Sequence, residues 1–277
     1  MVRLAGRALG ECLSSAAETR SLPVLLAVPE AYPGYPPPVE PEFLEQLRTQ
    51  AGVEMDGRRS KLFATGSAGA FLALREALDR LESGAEERIV VGGVDSYVDG
   101  NLLLELDNDR RLLARPVRDG FIPGEGAAFL VLARPGTVNL RDPVPIARID
   151  EAANALEPGH RYSEQVCRGD GLTAAFSRLF EGASRLGPVQ TVYSGINGES
   201  FGAKEQSAAL TRHSERFAED MAIEHPAARL GNTGAALGAM MMALAAIGLR
   251  RGYQRGPCLL WCASDRGERG AALMRRS

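Results

Sequence analysis

Ser67 lies in Ala64-Thr65-Gly66-Ser67-Ala68-Gly69, where a helix-patterned run begins. At such a position free backbone N–H groups and the helix macrodipole favour negative charge. That help is enough to ionise a cysteine thiol, but a serine hydroxyl is a far weaker acid and needs a positioned general base. The flanking residues do not form the strand-to-helix elbow of serine hydrolases, because Thr65 stands where that turn requires glycine. Serine is also a preferred helix N-cap, so Ser67 reads as an N-cap or small filler. The chain's 3 histidines, His160, His213 and His225, occupy polar stretches without metal-ligand spacing and read as solvated. Gly124-Glu125-Gly126 is a phosphate loop only superficially, since no lysine or helix start follows. It reads as a tight turn, with Glu125 a structural hydrogen-bond acceptor, and neither a metal nor a cofactor is expected.

The cysteines Cys12, Cys167, Cys258 and Cys262 have neither the density of a disulfide scaffold nor a CxxC pair, which predicts reduced thiols. Cys258 and Cys262 are spaced as residues of a buried strand, where a free cysteine is a small hydrophobe. At 277 residues with 45% hydrophobic content the chain can bury a sizeable core. Its net charge of −3 lacks the basic stripe that a nucleic-acid binder needs to displace counterions. The run from Ala235 to Leu249 falls short of a bilayer span, and Met1 to Leu13 has no continuous apolar signal core. The expectation is a cytoplasmic protein with no membrane span.

The elements that position these residues can be read from periodicity. Leu4 to Ala17 has helical spacing, Leu22 to Val28 is a short continuous apolar run typical of a buried strand, and the proline-rich Pro29 to Pro41 is a loop. Pro41 to Ala51 predicts a short helix, Ser67 to Leu81 a long one, Arg88 to Gly92 a parallel-type strand and Gly126 to Ala133 another. The second half repeats this order. Thr233-Gly234-Ala235-Ala236 opens a helix to Leu249, Cys258 to Ala263 is a strand, and Gly267 to Met274 closes the chain. The match to Thr65-Gly66-Ser67-Ala68, its helix and its two strands implies an internal duplication, with halves 1–140 and 141–277 forming one compact unit that divides within the turn-rich Arg134 to Pro143.

Four motifs carry a resemblance: Thr65-Gly66-Ser67-Ala68, Val91-Gly92-Gly93-Val94-Asp95-Ser96, Tyr193-Ser194-Gly195-Ile196-Asn197-Gly198 and Gly231-Asn232-Thr233-Gly234-Ala235. Together they resemble a β-ketoacyl synthase of the thiolase-like superfamily. The likeness implies an α/β thiolase-like fold of two duplicated halves, with mixed sheets layered between helices. It covers most of the chain from Arg7 onward, although the family usually begins with a further strand. Mapped residue by residue, Ser67 stands at the nucleophilic cysteine's place, Asn197 at one histidine's and Ala235 at the other's. Leu230, beside Arg229, stands at the usual lysine's place. The turn Ala263-Ser264-Asp265-Arg266-Gly267 replaces the family's phenylalanine gate with charged residues, so an acyl tunnel is expected to be rebuilt or occluded.

Those histidines polarise a thioester carbonyl and hold the enolate; Asn197 could still donate one hydrogen bond but cannot take a proton, and Ala235 can do neither. The resemblance therefore implies a degenerate homologue that pairs with an active ketosynthase, in the manner of a chain-length factor, in fatty acid, polyketide or aryl-polyene biosynthesis. Two other readings stand beside it: an acyltransferase or hydrolase using Ser67 with a base from elsewhere, and a homodimeric scaffold that binds acyl carrier protein. In each dimeric case Lys61-Leu62-Phe63-Ala64 would be a short interface strand, leaving Leu62 and Phe63 exposed without a partner.

Overall fold

The computed structural model describes the chain except residues 17, 19–20, 36–37 and 138–142. In chain order the elements are α1 (Val2–Ser15), β1 (Val24–Ala27), α2 (Phe43–Ala51), β2 (Lys61–Phe63), α3 (Gly69–Glu82), β3 (Arg88–Ser96), α4 (Gly100–Asn108), β4 (Glu125–Ala133), β5 (Arg148–Leu156), α5 (Asp170–Gly182), β6 (Val189–Ser194), α6 (Ser200–Arg212), β7 (Phe217–Glu224), α7 (Ala227–Leu230), α8 (Leu237–Arg251), β8 (Cys258–Ala263) and β9 (Glu268–Arg275). The proposed division at 140/141, Ala17 at the end of the first helix, and Pro36-Pro37 in the proline-rich loop lie outside the described residues.

The strands form two mixed sheets, ordered β2-β1-β3-β4 and β5-β9-β8-β6-β7. In each sheet three neighbouring strands are parallel, and the next is antiparallel: β4 beside β3, β9 beside β8. A short 3-10 turn and a helix precede the third strand of each set, Gly66–Ala68 with α3 and Gly234–Ala236 with α8. The duplication read from the sequence is thus present in the topology. The second sheet carries an additional strand, β5, paired antiparallel to β9.

Period-two alternation along fully buried strands decides the layering. In β1, Leu25 and Ala27 face the central core while Val24 and Leu26 face a cluster with α1 and α2. In β8, Cys258, Leu260 and Cys262 face the same central core while Leu259 and Trp261 face α5 and α6. Helices α3 and α8 fill the space between the sheets, giving layers of helices, sheet, helices, sheet and helices. By length and composition Gly234–Arg251 could cross a membrane, but 67% of it is buried inside this fold, as suits a central helix.

The sequence assignments differ from the structure in three places. Ser67 is not an N-cap: Gly66, at φ 58°, starts a 3-10 turn whose cap is Thr65, so α3 begins two residues later. His213 is buried rather than solvated, its Nε2 3.0 Å from Ser177 Oγ and its Nδ1 3.0 Å from the Ala209 carbonyl, packed against Phe176 and Phe180. Its neighbours in sequence are polar, but α6 turns its last face inward. Phe63 is not an exposed interface residue either. It packs into the central core at 9% exposure, and Leu62 packs partly against the α1 and α2 side, although β2 still forms the edge of its sheet.

Phe71 is fully buried at the centre of the sandwich, so close to Gly238 and Gly270 that a Cβ on either would come within 3.1 Å and 2.5 Å of it. Phe71→Ala should destabilise the protein by about 3–5 kcal/mol. A lowered urea midpoint with unchanged slope would register this.

Candidate functional site

The parallel strands β1, β3, β6 and β8 all end at one cleft of about 390 Å³. Its walls include Glu30 and Tyr32 after β1, Asp95 to Tyr97 at the end of β3, Gly195 and Asn197 after β6, Ala263 and Asp265 around the end of β8, and Gly66 and Ser67 from the first 3-10 turn. This is the usual place for a ligand in parallel α/β sheets, because strand ends deliver loops that carry side chains without disturbing the ladder.

Ser67 and Asn197 line this cleft. Ala235 is fully buried behind the wall: its N–H donates to Asp95 Oδ2 at 2.8 Å, and its carbonyl comes so near Gly93 that a Cβ there would meet it at 2.3 Å. Only glycine fits at 93, and that close approach seats the second 3-10 turn against β3. Arg229 and Leu230 lie on α7, exposed, and do not line the cleft.

No residue is placed to activate the serine. Among the described residues the Ser67 hydroxyl has no side-chain hydrogen bond, so no base holds it. The Asn197 amide is engaged at both ends: Nδ2 donates to Glu199 Oε2 at 3.0 Å, and Oδ1 accepts from the Glu199 N–H at 3.0 Å. The thiols are equally inert. Burial pushes Cys12 and Cys167 up to about 11 and Cys258 up to about 12, and it raises Cys262 as well.

An ion cluster fills the cleft's inner end. Arg111 donates from Nε and Nη2 to both oxygens of Glu199 at 3.0 and 2.9 Å, and from Nη1 and Nη2 to both oxygens of Asp265 at 2.6 and 3.1 Å. Arg161 bridges the same carboxylates, with Nη2 2.9 Å from Glu199 and Nε 3.0 Å from Asp265. Burial works against the charges, yet the carboxylates hold the Arg111 pKa well above its usual value. Likewise burial raises Asp265, but Arg111 and Arg161 override it and keep the carboxylate ionised below its usual range. The cluster is charge-balanced and geometrically satisfied, and it occupies the region where the gate turn was expected to be rebuilt or closed.

Glu30 and Asp95 differ from this pair. Burial, with the nearby Asp265 charge, raises Glu30 to about 7 against the opposing backbone N–H groups of Asp265 and Arg266. Burial raises Asp95 to about 7 despite N–H donors from Ala235 and Ser96, and Glu30 adds repulsion. Of these groups Asp95, Glu199 and Asp265 stand inside motifs visible in the sequence. Nothing in the sequence marks Arg111, Glu30, Tyr162 or Arg161, which reach the cleft only through folding.

A model of the β-ketoacyl synthase N-terminal domain matches residues 54–136. No curated protein sequence matches the chain. The fold is similar to a type II polyketide synthase acyl carrier protein in complex with its ketosynthase bound to the hexaketide (TM-score 0.78, 14% identity, 99% of this chain and 85% of that one). It is also similar to an oxazolomycin ketosynthase domain from Streptomyces albus JA3453 (TM-score 0.82, 14% identity, 100% of this chain and 59% of that one). A third similar structure is the ishigamide ketosynthase/chain length factor (TM-score 0.64, 16% identity, 93% of this chain and 74% of that one). The chain thus spans under two thirds of the modular domain. Sheet topology and layering define an α/β protein of the thiolase-like fold. Within that fold, residues 54–136 resemble the β-ketoacyl synthase N-terminal domain, and serine occupies the turn that opens the central helix.

Removing one partner of the ion cluster leaves a buried charge unpaired. Arg111→Met should cost about 3–5 kcal/mol, and Arg111→Met combined with Glu199→Gln should cost less than the sum of the two, measured by denaturant titration. Glu30 and Asp95 hold their protons more tightly folded than unfolded. The stability they contribute is therefore complete below the ordinary carboxylate range and lost as pH rises through about 7. Between about pH 5 and 8 the melting temperature of the parent protein should fall more than that of Glu30→Gln/Asp95→Asn, by differential scanning calorimetry.

Proposed function

We propose that the chain is a non-condensing β-ketoacyl synthase homologue that pairs with an active ketosynthase, as a chain-length factor does, in cytoplasmic fatty acid, polyketide or aryl-polyene biosynthesis. The observation that carries this reading is the cleft itself. Ser67, Asn197 and Ala235 occupy the positions that motif alignment assigns to the Cys-His-His set; among the described residues no side chain hydrogen-bonds the Ser67 hydroxyl, Asn197 is held by Glu199, and Ala235 offers only its backbone N–H, to Asp95. The polar groups that converge there satisfy one another, through Arg111, Arg161, Glu199 and Asp265, rather than a substrate. A site built this way holds its shape, and the carboxylates in its wall that can take a proton, Glu30 and Asp95, are hydrogen-bonded to backbone amides rather than to Ser67.

The reading as a Ser67 acyltransferase or hydrolase is less well supported, since the nearest raised carboxylate, Glu30, is committed to backbone amides. A homodimer that binds acyl carrier protein uses the same surfaces and is separated from the favoured reading only by the identity of the second subunit. In both cases β2 supplies the open edge. It pairs with β1 on one side, so among the described residues its outward backbone groups are open to a partner strand.

Two outcomes test the reading. Neither the parent protein nor Ser67→Cys should condense or decarboxylate malonyl thioesters above a heat-denatured control, because restoring one member does not rebuild a unit that has lost several. Co-expressed with a ketosynthase encoded beside it, the chain should co-purify as a heterodimer by size exclusion and native mass spectrometry, and Leu62→Glu on the edge strand should abolish that complex. A stable monomer under these conditions would count against a partner role.

A further inference from the structure

The turn that follows β8 directs two consecutive backbone N–H groups toward the cleft. Asp265 N–H donates to Glu30 Oε1 at 2.8 Å and Arg266 N–H donates to Glu30 Oε2 at 3.3 Å. Paired amides aimed at the two oxygens of one carboxylate form an anion cradle of the kind made by successive backbone N–H groups in a turn. Glu30 comes from a different part of the chain, just beyond the end of β1, and sits in the cleft wall beside Gly66 and Ser67.

Two features hold the cradle and its occupant in register. The Ser264 hydroxyl accepts from the Ala68 N–H at 3.2 Å and donates to the Thr65 carbonyl, clamping this turn to the 3-10 turn that carries Ser67. Gly66 then leaves room for the carboxylate: at φ 58° it has no side chain, and a Cβ there would lie 2.6 Å from Glu30 Oε1. The backbone is thus shaped around an oxygen at this point. The groups that face Glu30 are Asp265 and Arg266 from the same turn, Asp95 from β3, and more distantly Arg111, Tyr97 and Tyr162. Arg111 is saturated by Glu199 and Asp265, so the amide pair is the principal partner of the Glu30 charge.

We propose that the Asp265 and Arg266 amides form a binding site for a carboxylate or carbonyl oxygen, which this chain keeps filled with its own Glu30 side chain. An acyl group entering the cleft beside Ser67 would find its oxygen-binding amides already occupied. This inference is independent of whether the chain has a ketosynthase partner. Burial and the Asp265 charge raise the proton affinity of Glu30, and the two turn amides oppose them.

Glu30→Ala deletes the equivalent of one acetate from the cradle, and acetate is therefore the probe. In amide proton–nitrogen correlation spectra at a pH above the Glu30 titration, Glu30→Ala should shift the Asp265 and Arg266 resonances away from their parent positions. Acetate should return them and raise the melting temperature of the variant, with chloride at equal ionic strength as control. The parent protein and Glu30→Gln, whose side-chain carbonyl still accepts from the turn, should be silent to acetate. If Glu30→Ala does not fold, refolding in acetate but not in chloride is the expected rescue, and failure in both overturns the proposal. An equal acetate response in parent and variant, or none in a folded Glu30→Ala, would also overturn it.

Discussion

Close approach of backbone at the centre of the molecule governs the rest of the structure. Helices α3 and α8 pack between the two sheets at a distance that only small residues allow. Gly93 touches the Ala235 carbonyl, Gly238 touches Ala70 and Phe71, and Gly270 touches Phe71 again. A side chain at 93 or 270 would push the second 3-10 turn or α3 off a sheet, and one at 238 would push α8 off α3, because interiors are packed too densely to absorb a methyl group without displacement. The same contacts fix where the 3-10 turns before α3 and α8 sit. Ser67 therefore reaches the cleft, and Ala235 faces Asp95, as consequences of packing.

Given that scaffold, the ends of four parallel strands converge and polar side chains crowd a small volume. Two solutions to this crowding coexist. Arg111 and Arg161 meet Glu199 and Asp265 in a network where each charge has an opposite partner at hydrogen-bond distance. Glu30 and Asp95 have backbone N–H donors instead, and their raised proton affinity shows that dipoles compensate burial less fully than a guanidinium does. The network links four distant segments, the residues after α4, the loop after β5, the loop before α6 and the β8–β9 turn, so it stiffens the cleft.

Much of the fold was legible in the sequence. The continuous apolar runs of β1 and β8, the glycine pairs and the small-residue helix starts each have a local cause, backbone sterics or side-chain periodicity, and these survive whatever the rest of the chain does. The repeated order of turn, helix and strands revealed the duplication, whereas the antiparallel pairing of β3 with β4 and of β8 with β9 came from the structure. The replacements at 67, 197 and 235 were equally plain, because chemical type is a property of the residue itself.

Only the tertiary structure decided the environment of each residue. His213 lies among polar neighbours in sequence yet is buried by the inward turn of α6, and Phe63 stands on an edge strand yet points into the core. Arg111 and Asp265 are 154 residues apart, and Glu30 and Asp265 are 235 apart, so no local pattern announces either contact. Hydrogen bonds, ion pairs and desolvation depend on distances set by long-range packing. The sequence by itself therefore determined which residue types stand in each motif, while the folded chain determined which charges meet at the cleft and what those charges hold.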